Sequence, residues 1–244
     1  MKSTRHIEIL SIARILRHLR VSFSEFVLFC VLSHAKQRRL LESQQRNHEW
    51  RHATSATVKE SNAVIYGVGS IGRTVGKTLT KLGLHVRGID PYTSVAEGFE
   101  CIYRNDDMRE AAAWSDYFII CAPLTEQTRH SVNAEIFDAM KASCHVINVG
   151  RGPIIDETAL VQALTSGSIG SASLDVFETE PLPSDNPLWE MENVHISPHI
   201  SGDAGDFELA LIRQFADLAD MWFHGHDFPS AVDKKRGYAH TRQN

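Results

Sequence analysis

Gly67-Val68-Gly69-Ser70-Ile71-Gly72 has the spacing of a phosphate-binding turn. An apolar run, Ala63 to Gly67, leads into it, and a helical pattern, Ile71 to Leu82, leads out. The first glycine permits a tight turn, the second lets backbone approach a pyrophosphate, and the third lets helix and strand pack closely. The helix start then offers N–H groups and a positive dipole end to an anion. A second strand-like run, His85 to Asp90, ends in an acid at the distance expected for a ribose-binding carboxylate. Asp90 is able to accept from both adenosine ribose hydroxyls and would repel a 2′-phosphate, which favours NAD over NADP. The plainer reading is that Asp90 only starts the turn Asp90-Pro91-Tyr92. Further on stand an Arg-Gly pair (Arg151-Gly152), two acids before a proline (Glu178 and Glu180 before Pro181) and a Pro-His pair (Pro198-His199). Taken singly these read as a turn, a solvated loop and a strand end. His195 and His199 are four apart, as in a helical metal pair, but Pro198 between them and the strand-like run before them argue against a helical ligand face. No metal is expected, and His224-Gly225-His226 reads as a surface turn.

The order of four blocks carries more than any block alone. Ile147-Asn148-Val149-Gly150-Arg151-Gly152, Ile155-Asp156-Glu157, Leu174-Asp175-Val176-Phe177-Glu178-Thr179-Glu180-Pro181 and Ser197-Pro198-His199-Ile200-Ser201-Gly202 follow one another. In this order they resemble the D-isomer-specific 2-hydroxyacid dehydrogenases, the family that includes phosphoglycerate, glyoxylate/hydroxypyruvate and D-lactate dehydrogenases. Cys121-Ala122-Pro123-Leu124-Thr125 and the ending Val232 to Tyr238 also fit, so the likeness runs from about residue 22 to 240. The resemblance implies three catalytic residues. Arg151 would hold the carboxylate of a 2-keto acid and polarise its carbonyl, a task suited to a planar, permanently charged fork. His199 would supply the proton, because histidine titrates near neutrality. Glu180 would orient the ring and favour its protonated form. It also implies a cofactor lining of Gly67, Gly69, Ser70, Ile71, Gly72, Asp90, Pro123, Val149, Arg151, Asp175, His199 and Gly202, with Asp175 near the nicotinamide carboxamide.

These residues need a scaffold, and the pattern supplies one. Strand-like runs at Ala63–Gly67, His85–Asp90, Tyr117–Cys121, His145–Val149, Ala172–Val176 and Val194–Ser197 alternate with helical patterns at Ile71–Leu82, Asp107–Trp114, Ala134–Met140 and Glu157–Leu164. Such alternation predicts a Rossmann-type α/β fold, a doubly wound parallel sheet with crossover helices. Residues 57–203 are expected to be the NAD-binding domain. Residues 22–56 are expected to form a long helix and arm that join domains and build a homodimer, with Phe26, Phe29 and Leu40 partly exposed. Residues 204–244 are expected to hold a last helix, Phe207 to Phe223, and a polar tail, and residues 1–21 a basic segment of unassigned role. The family normally begins with a flavodoxin-like substrate domain. Only 66 residues precede Gly67, and those from 22 to 50 already resemble the helix entering the cofactor domain. Only remnants of the substrate domain are therefore expected, with a weakened or lost turnover.

The whole chain bounds the rest. It has 244 residues, 43% hydrophobic and 23% charged, enough to bury a core. A net charge of −5 gives no reason to expect nucleic acid as a partner. The apolar run Phe26 to Leu32 is too short to span a bilayer. Lys2, Arg5, Arg14, Arg17 and Arg20 before it against the lone acid Glu8 mimic a signal or transit peptide, but the favoured reading is a basic amphipathic helix or a disordered leader. The cysteines, Cys30, Cys101, Cys121 and Cys144, form no Cys-x-x-Cys pair, and three lie in apolar stretches. They read as buried free thiols of a cytoplasmic protein. The expected function is an NAD-dependent oxidoreductase interconverting a small D-2-hydroxy acid and its 2-keto acid. The alternative is a non-catalytic NAD-binding module that dimerises. A third option, an unrelated nucleotide-binding protein, is opposed by Asp90 and the later blocks.

Overall fold

Four strands whose residues are all or nearly all buried form the centre of the molecule. The computed structural model describes residues 16–203, 205, 207–224, 232–233 and 238–239. The basic leader before Leu16 and the segment 234–237 lie outside the described residues. The strands are β1 (Asn62–Tyr66), β2 (His85–Ile89), β3 (Ile102–Tyr103), β4 (Tyr117–Ile120), β5 (His145–Asn148), β6 (Ser171–Leu174) and β7 (Val194–Ile196). They form one sheet in the order β3-β2-β1-β4-β5-β6-β7, and every pairing in it is parallel. β1, β4, β5 and β6 are buried on both faces, as parallel strands covered by helices are. The chain enters at β1, winds outward to β3, then returns beside β1 with β4. The strand order reverses between β1 and β4, the place where such sheets open a ligand crevice.

Helices cover both faces. α3 (Ser70–Lys81) lies on one face with α1 (Leu16–Ala35) packed against it. α4 (Met108–Trp114), α5 (Ala134–Ala139) and α6 (Glu157–Ser166) cover the other. Val27, Cys30, Val31 and Ala35 of α1 join Val75 and Leu79 of α3 and Ala63, Ile65, Ile119 and Ile147 of the sheet in one apolar cluster. Asp156 caps α6 by accepting from the Ala159 amide, and Gly167 ends it in the left-handed region at φ 77°. α7 (Phe207–Phe223) matches its expected bounds, and a short antiparallel pair, β8 (Val232–Asp233) with β9 (Tyr238–Ala239), falls where a polar tail is expected.

Two expectations need correction. The helical pattern from residue 22 to 50 is not one helix. α1 ends at Ala35, Gln37 takes a left-handed conformation (φ 52°, ψ 43°), and α2 (Arg38–Arg46) starts afresh. The cause lies outside the local pattern. The returning segment folds back on the end of α1: the Ala56 amide donates to the Ala35 carbonyl (3.0 Å), Lys36 Nζ to Ala56 O (2.7 Å) and Gln37 Nε2 to Thr54 O (2.6 Å). Phe26 and Phe29 are half-buried and Leu40 is 38% exposed, as expected of that stripe. The cysteines are all free, but only Cys30 and Cys144 are buried; Cys121 is half-buried and Cys101 is exposed. β3 has no counterpart in the sequence reading, because two residues are too few for a periodicity. Among the described residues no helix is long and apolar enough to cross a membrane.

Candidate active site

The C-terminal ends of the parallel strands gather the residues singled out above. Gly67 follows β1 at φ 97°, and a Cβ there would sit 2.6 Å from the backbone of Ala122 after β4. A Cβ at Gly72 would fall on the Gly67 carbonyl oxygen, so the helix packs directly on the turn. Gly69 caps α3 with no side-chain acceptor for the first-turn amides, and a Cβ there would meet nothing within 4 Å. The amides of Ser70 and Ile71 thus begin a helix beneath open space, which fits a pyrophosphate.

Asp90 follows β2. Its Oδ2 accepts from the Val68 amide (3.0 Å) in the glycine turn, and its Oδ1 from Tyr92 N (2.9 Å) and Thr93 N (2.8 Å). The turn-starting role is therefore real. A carboxylate has about four acceptor positions, and these three bonds leave room for one hydroxyl on Oδ2 rather than two. Arg104, after β3, donates to the carbonyl of Pro91 (2.5 Å) at the same corner.

Glu180 and His199 meet. Glu180 Oε2 lies 2.7 Å from His199 Nδ1, so the carboxylate accepts from a protonated Nδ1. The other carboxylate oxygen, Oε1, accepts from the Phe177 amide (2.9 Å), which fixes the acid at both ends. His199 holds a left-handed backbone at φ 56°, and Asp175 is what supports it. Asp175 is 0% exposed. Its carbonyl accepts from the His199 amide (2.9 Å), and its carboxylate accepts from Ser197 Oγ (2.6 Å), Ile200 N (2.9 Å) and Ser201 N (2.8 Å). Ser22 of α1 braces the same turn by donating to Ser201 O (3.1 Å) and Asp203 O (3.2 Å). Gly202, between them, is half-buried.

Arg151 leaves the end of β5 exposed, and its Nη1 donates to Gly150 O (2.7 Å). Among the described residues no hydrogen bond joins it to Glu180 or His199. Pro123 is exposed beside the glycine turn, whereas the Val149 side chain is 3% exposed and packs in the cluster beneath α1 and α3. His195 is separate from His199: its ring meets Phe29 of α1 edge-on, centroids 5.6 Å apart.

Sequence reasoning passed over several residues that shape this end of the sheet. Asn148, fully buried, accepts from Gly150 N (3.0 Å) and donates to Arg151 O (3.2 Å), so it sets the turn that presents Arg151. Thr128 donates to Pro123 O (2.7 Å) and accepts from Thr125 N (2.8 Å); the Thr-x-x-Thr spacing was the available signal. Ser197 had no signal beyond its place before Pro198.

The chain is similar to known proteins. The family model for the D-isomer specific 2-hydroxyacid dehydrogenase NAD binding domain matches residues 28–201. An uncharacterised protein in the proB 3′ region of Corynebacterium melassecola is 36% identical over 194 residues, 80% of this chain and 62% of the relative. Glyoxylate/hydroxypyruvate reductase B of Cronobacter sakazakii is 51% identical over 94 residues, 38% of this chain and 29% of the relative. The chain thus spans less than two thirds of either curated relative. A solved structure, a D-isomer specific 2-hydroxyacid dehydrogenase from Xanthobacter autotrophicus Py2 in complex with NADPH and MES, superposes with a TM-score of 0.83 at 35% identity, covering 91% of each chain.

Proposed function

The chain belongs to the D-isomer-specific 2-hydroxyacid dehydrogenase family, and on that premise we propose that it interconverts a small D-2-hydroxy acid and its 2-keto acid with NAD as cofactor. The observation that carries the reading is the 2.7 Å pairing of Glu180 with His199 at the end of the sheet where the glycine turn opens. A pure binding module needs no aligned proton donor.

The residues divide the work. The amides after Gly69 hold the pyrophosphate, and Asp90 takes a ribose hydroxyl and repels a 2′-phosphate. A nicotinamide cofactor held there would supply the hydride for the keto carbon. Arg151 swings its fork from Gly150 O to the substrate carboxylate and polarises the neighbouring carbonyl. Glu180 keeps the His199 Nδ1 proton engaged, which leaves Nε2 to deliver a proton to the forming alkoxide and to remove it in the reverse direction. Asp175 holds the His199 amide and the two amides that follow it, so the ring keeps its place while its charge changes.

The domain reading follows the same lines: residues 57–203 as the cofactor domain, 22–56 as the arm against which a second copy docks in a homodimer, and 204–244 as the closing segment. A cytoplasmic location suits the free thiols.

The test is oxidation of NADH by purified protein with glyoxylate or hydroxypyruvate, followed by absorbance beside calorimetric cofactor titration. Turnover that His199→Ala reduces by about 10²–10⁴-fold without loss of NAD binding supports the reading. NAD binding with no turnover on either keto acid would favour the binding-module alternative.

A further inference from the structure

The loop from Phe177 to Pro181 carries two acids, and a histidine meets each. Glu180 faces His199; Glu178 Oε1 lies 2.8 Å from His130 Nε2. His130 stands in the loop between β4 and α5 with φ 50°, the same left-handed region that His199 occupies. Few residues other than glycine sit there, and His is among the better tolerated. Backbone hydrogen bonds tie the His130 loop to the next one: His130 N donates to Pro153 O (2.8 Å) and Val132 N to Ile154 O (3.1 Å). Gly152 of that second loop lies flat against the backbone of Phe177 and Glu178, where a Cβ would collide. Loops from β4, β5 and β6 therefore stack in order, and the His130 ring spans from the first to the third.

We propose that His130 is a positioning residue: through Glu178 it fixes the loop that presents Glu180 to His199. The geometry stands on the three loops, while its consequence for turnover rests on the acid–base role of Glu180 and His199. The pair is nearly half exposed, so it adds little to global stability. Its effect is on placement, and small shifts of a catalytic acid–base pair slow turnover. A rival restraint exists. Glu157 N donates to Glu178 Oε1 and Glu178 N to Glu157 Oε2, both at 3.2 Å. These bonds are longer, and they tie the loop to the start of α6 rather than to the cofactor-side loop.

The test is proton–nitrogen NMR on the full chain. A His199 Nδ1–H engaged with a carboxylate gives a downfield signal, assigned by its disappearance in His199→Gln. His130→Gly removes the ring and also relieves the left-handed backbone; Glu178→Gln removes the charge from the other side and leaves the backbone alone. Both variants should broaden or lose the signal and lower kcat about threefold with NAD affinity intact, and Glu178→Gln should do so with an unchanged thermal midpoint. His130→Gln, whose amide still donates to Glu178, should recover part of the signal. A sharp, unshifted signal in both variants overturns the proposal and leaves Glu157 as the sufficient restraint. A signal missing from the parent protein refutes the Glu180–His199 pairing itself, and with it both the acid–base reading and this one.

Discussion

The buried carboxylate of Asp175 accepts the amides of the two residues after His199, Ile200 at 2.9 Å and Ser201 at 2.8 Å, while its carbonyl accepts the His199 amide. The acid thus acts on His199 through the backbone. Removing it leaves two N–H groups without an acceptor, at about 1–3 kcal/mol each, and leaves the Ser197 hydroxyl only the Leu174 carbonyl at 3.5 Å. Asp175→Ala should lower stability to chemical unfolding by ~3 kcal/mol or more and slow turnover by ~10²-fold through misplacement of the ring. Asp175→Asn keeps one acceptor and should cost less on both counts. Wild-type stability in the alanine variant would mean that the His199 turn holds itself.

Asp90 faces two demands, the turn and the ribose. Calorimetry should show the parent protein binding NAD more tightly than NADP. Asp90→Ala should weaken NAD about tenfold, narrow that preference, and lower the thermal midpoint, because Val68, Tyr92 and Thr93 lose their acceptor. Tighter binding of NADP by the parent would reverse the specificity assignment.

Acid should unfold the protein through a histidine group beneath α1. His145 is buried with Nδ1 at 2.6 Å from Ser171 Oγ and Nε2 at 2.9 Å from Ser173 Oγ, and its ring stacks on His34 at 4.4 Å. Burial holds His145 well below the usual value of 6.5, and holds His34 and His195 below it too. Arg38 and Arg39 add to the effect at His195, where Glu42 and Asp175 oppose it, and the Tyr117 hydroxyl faces His34 at 3.4 Å. A histidine that is lowered in the folded state takes its proton first when unfolded. Stability is then complete above pH 6.5 and is lost as pH falls below it. His85, between Glu60 and Glu100, is raised and works in the opposite direction, but it is exposed and screened. The thermal midpoint should therefore be flat near pH 7–8 and fall by several degrees toward pH 5. His34→Leu should make that fall shallower; an equally steep fall would place the acid lability elsewhere.

Thiol chemistry should separate the cysteines. Burial pushes the Cys30 thiol up to about 12 and that of Cys144 up to about 11, while Cys101 is exposed. A thiolate reagent at neutral pH should label Cys101 fast, and Cys30 and Cys144 only on unfolding. Mass spectrometry of labelled peptides checks this; rapid native labelling of Cys30 would show that α1 lifts from the sheet.

Much of this protein is local and was legible as such. The run Ala63 to Tyr66 is a buried strand wherever it packs, Gly67 and Gly72 mark a turn where a side chain would strike backbone, and the order of the Arg151, Glu180 and His199 blocks carries the family. Other features belong to residues far apart in the chain. The end of α1 is set by Thr54 and Ala56 folding back, not by any breaker near Gln37. Asp175 reads as a cofactor neighbour until Ser197, Ile200 and Ser201 are seen to use both its oxygens. His130 reads as nothing until β5 lies between β4 and β6, and the loops that follow them stack. The physical reason is one of range. Turn and strand preferences act over a few neighbours and are written in residue type, whereas a hydrogen bond is chosen by whichever group arrives at 2.8 Å, and strand order decides which groups arrive.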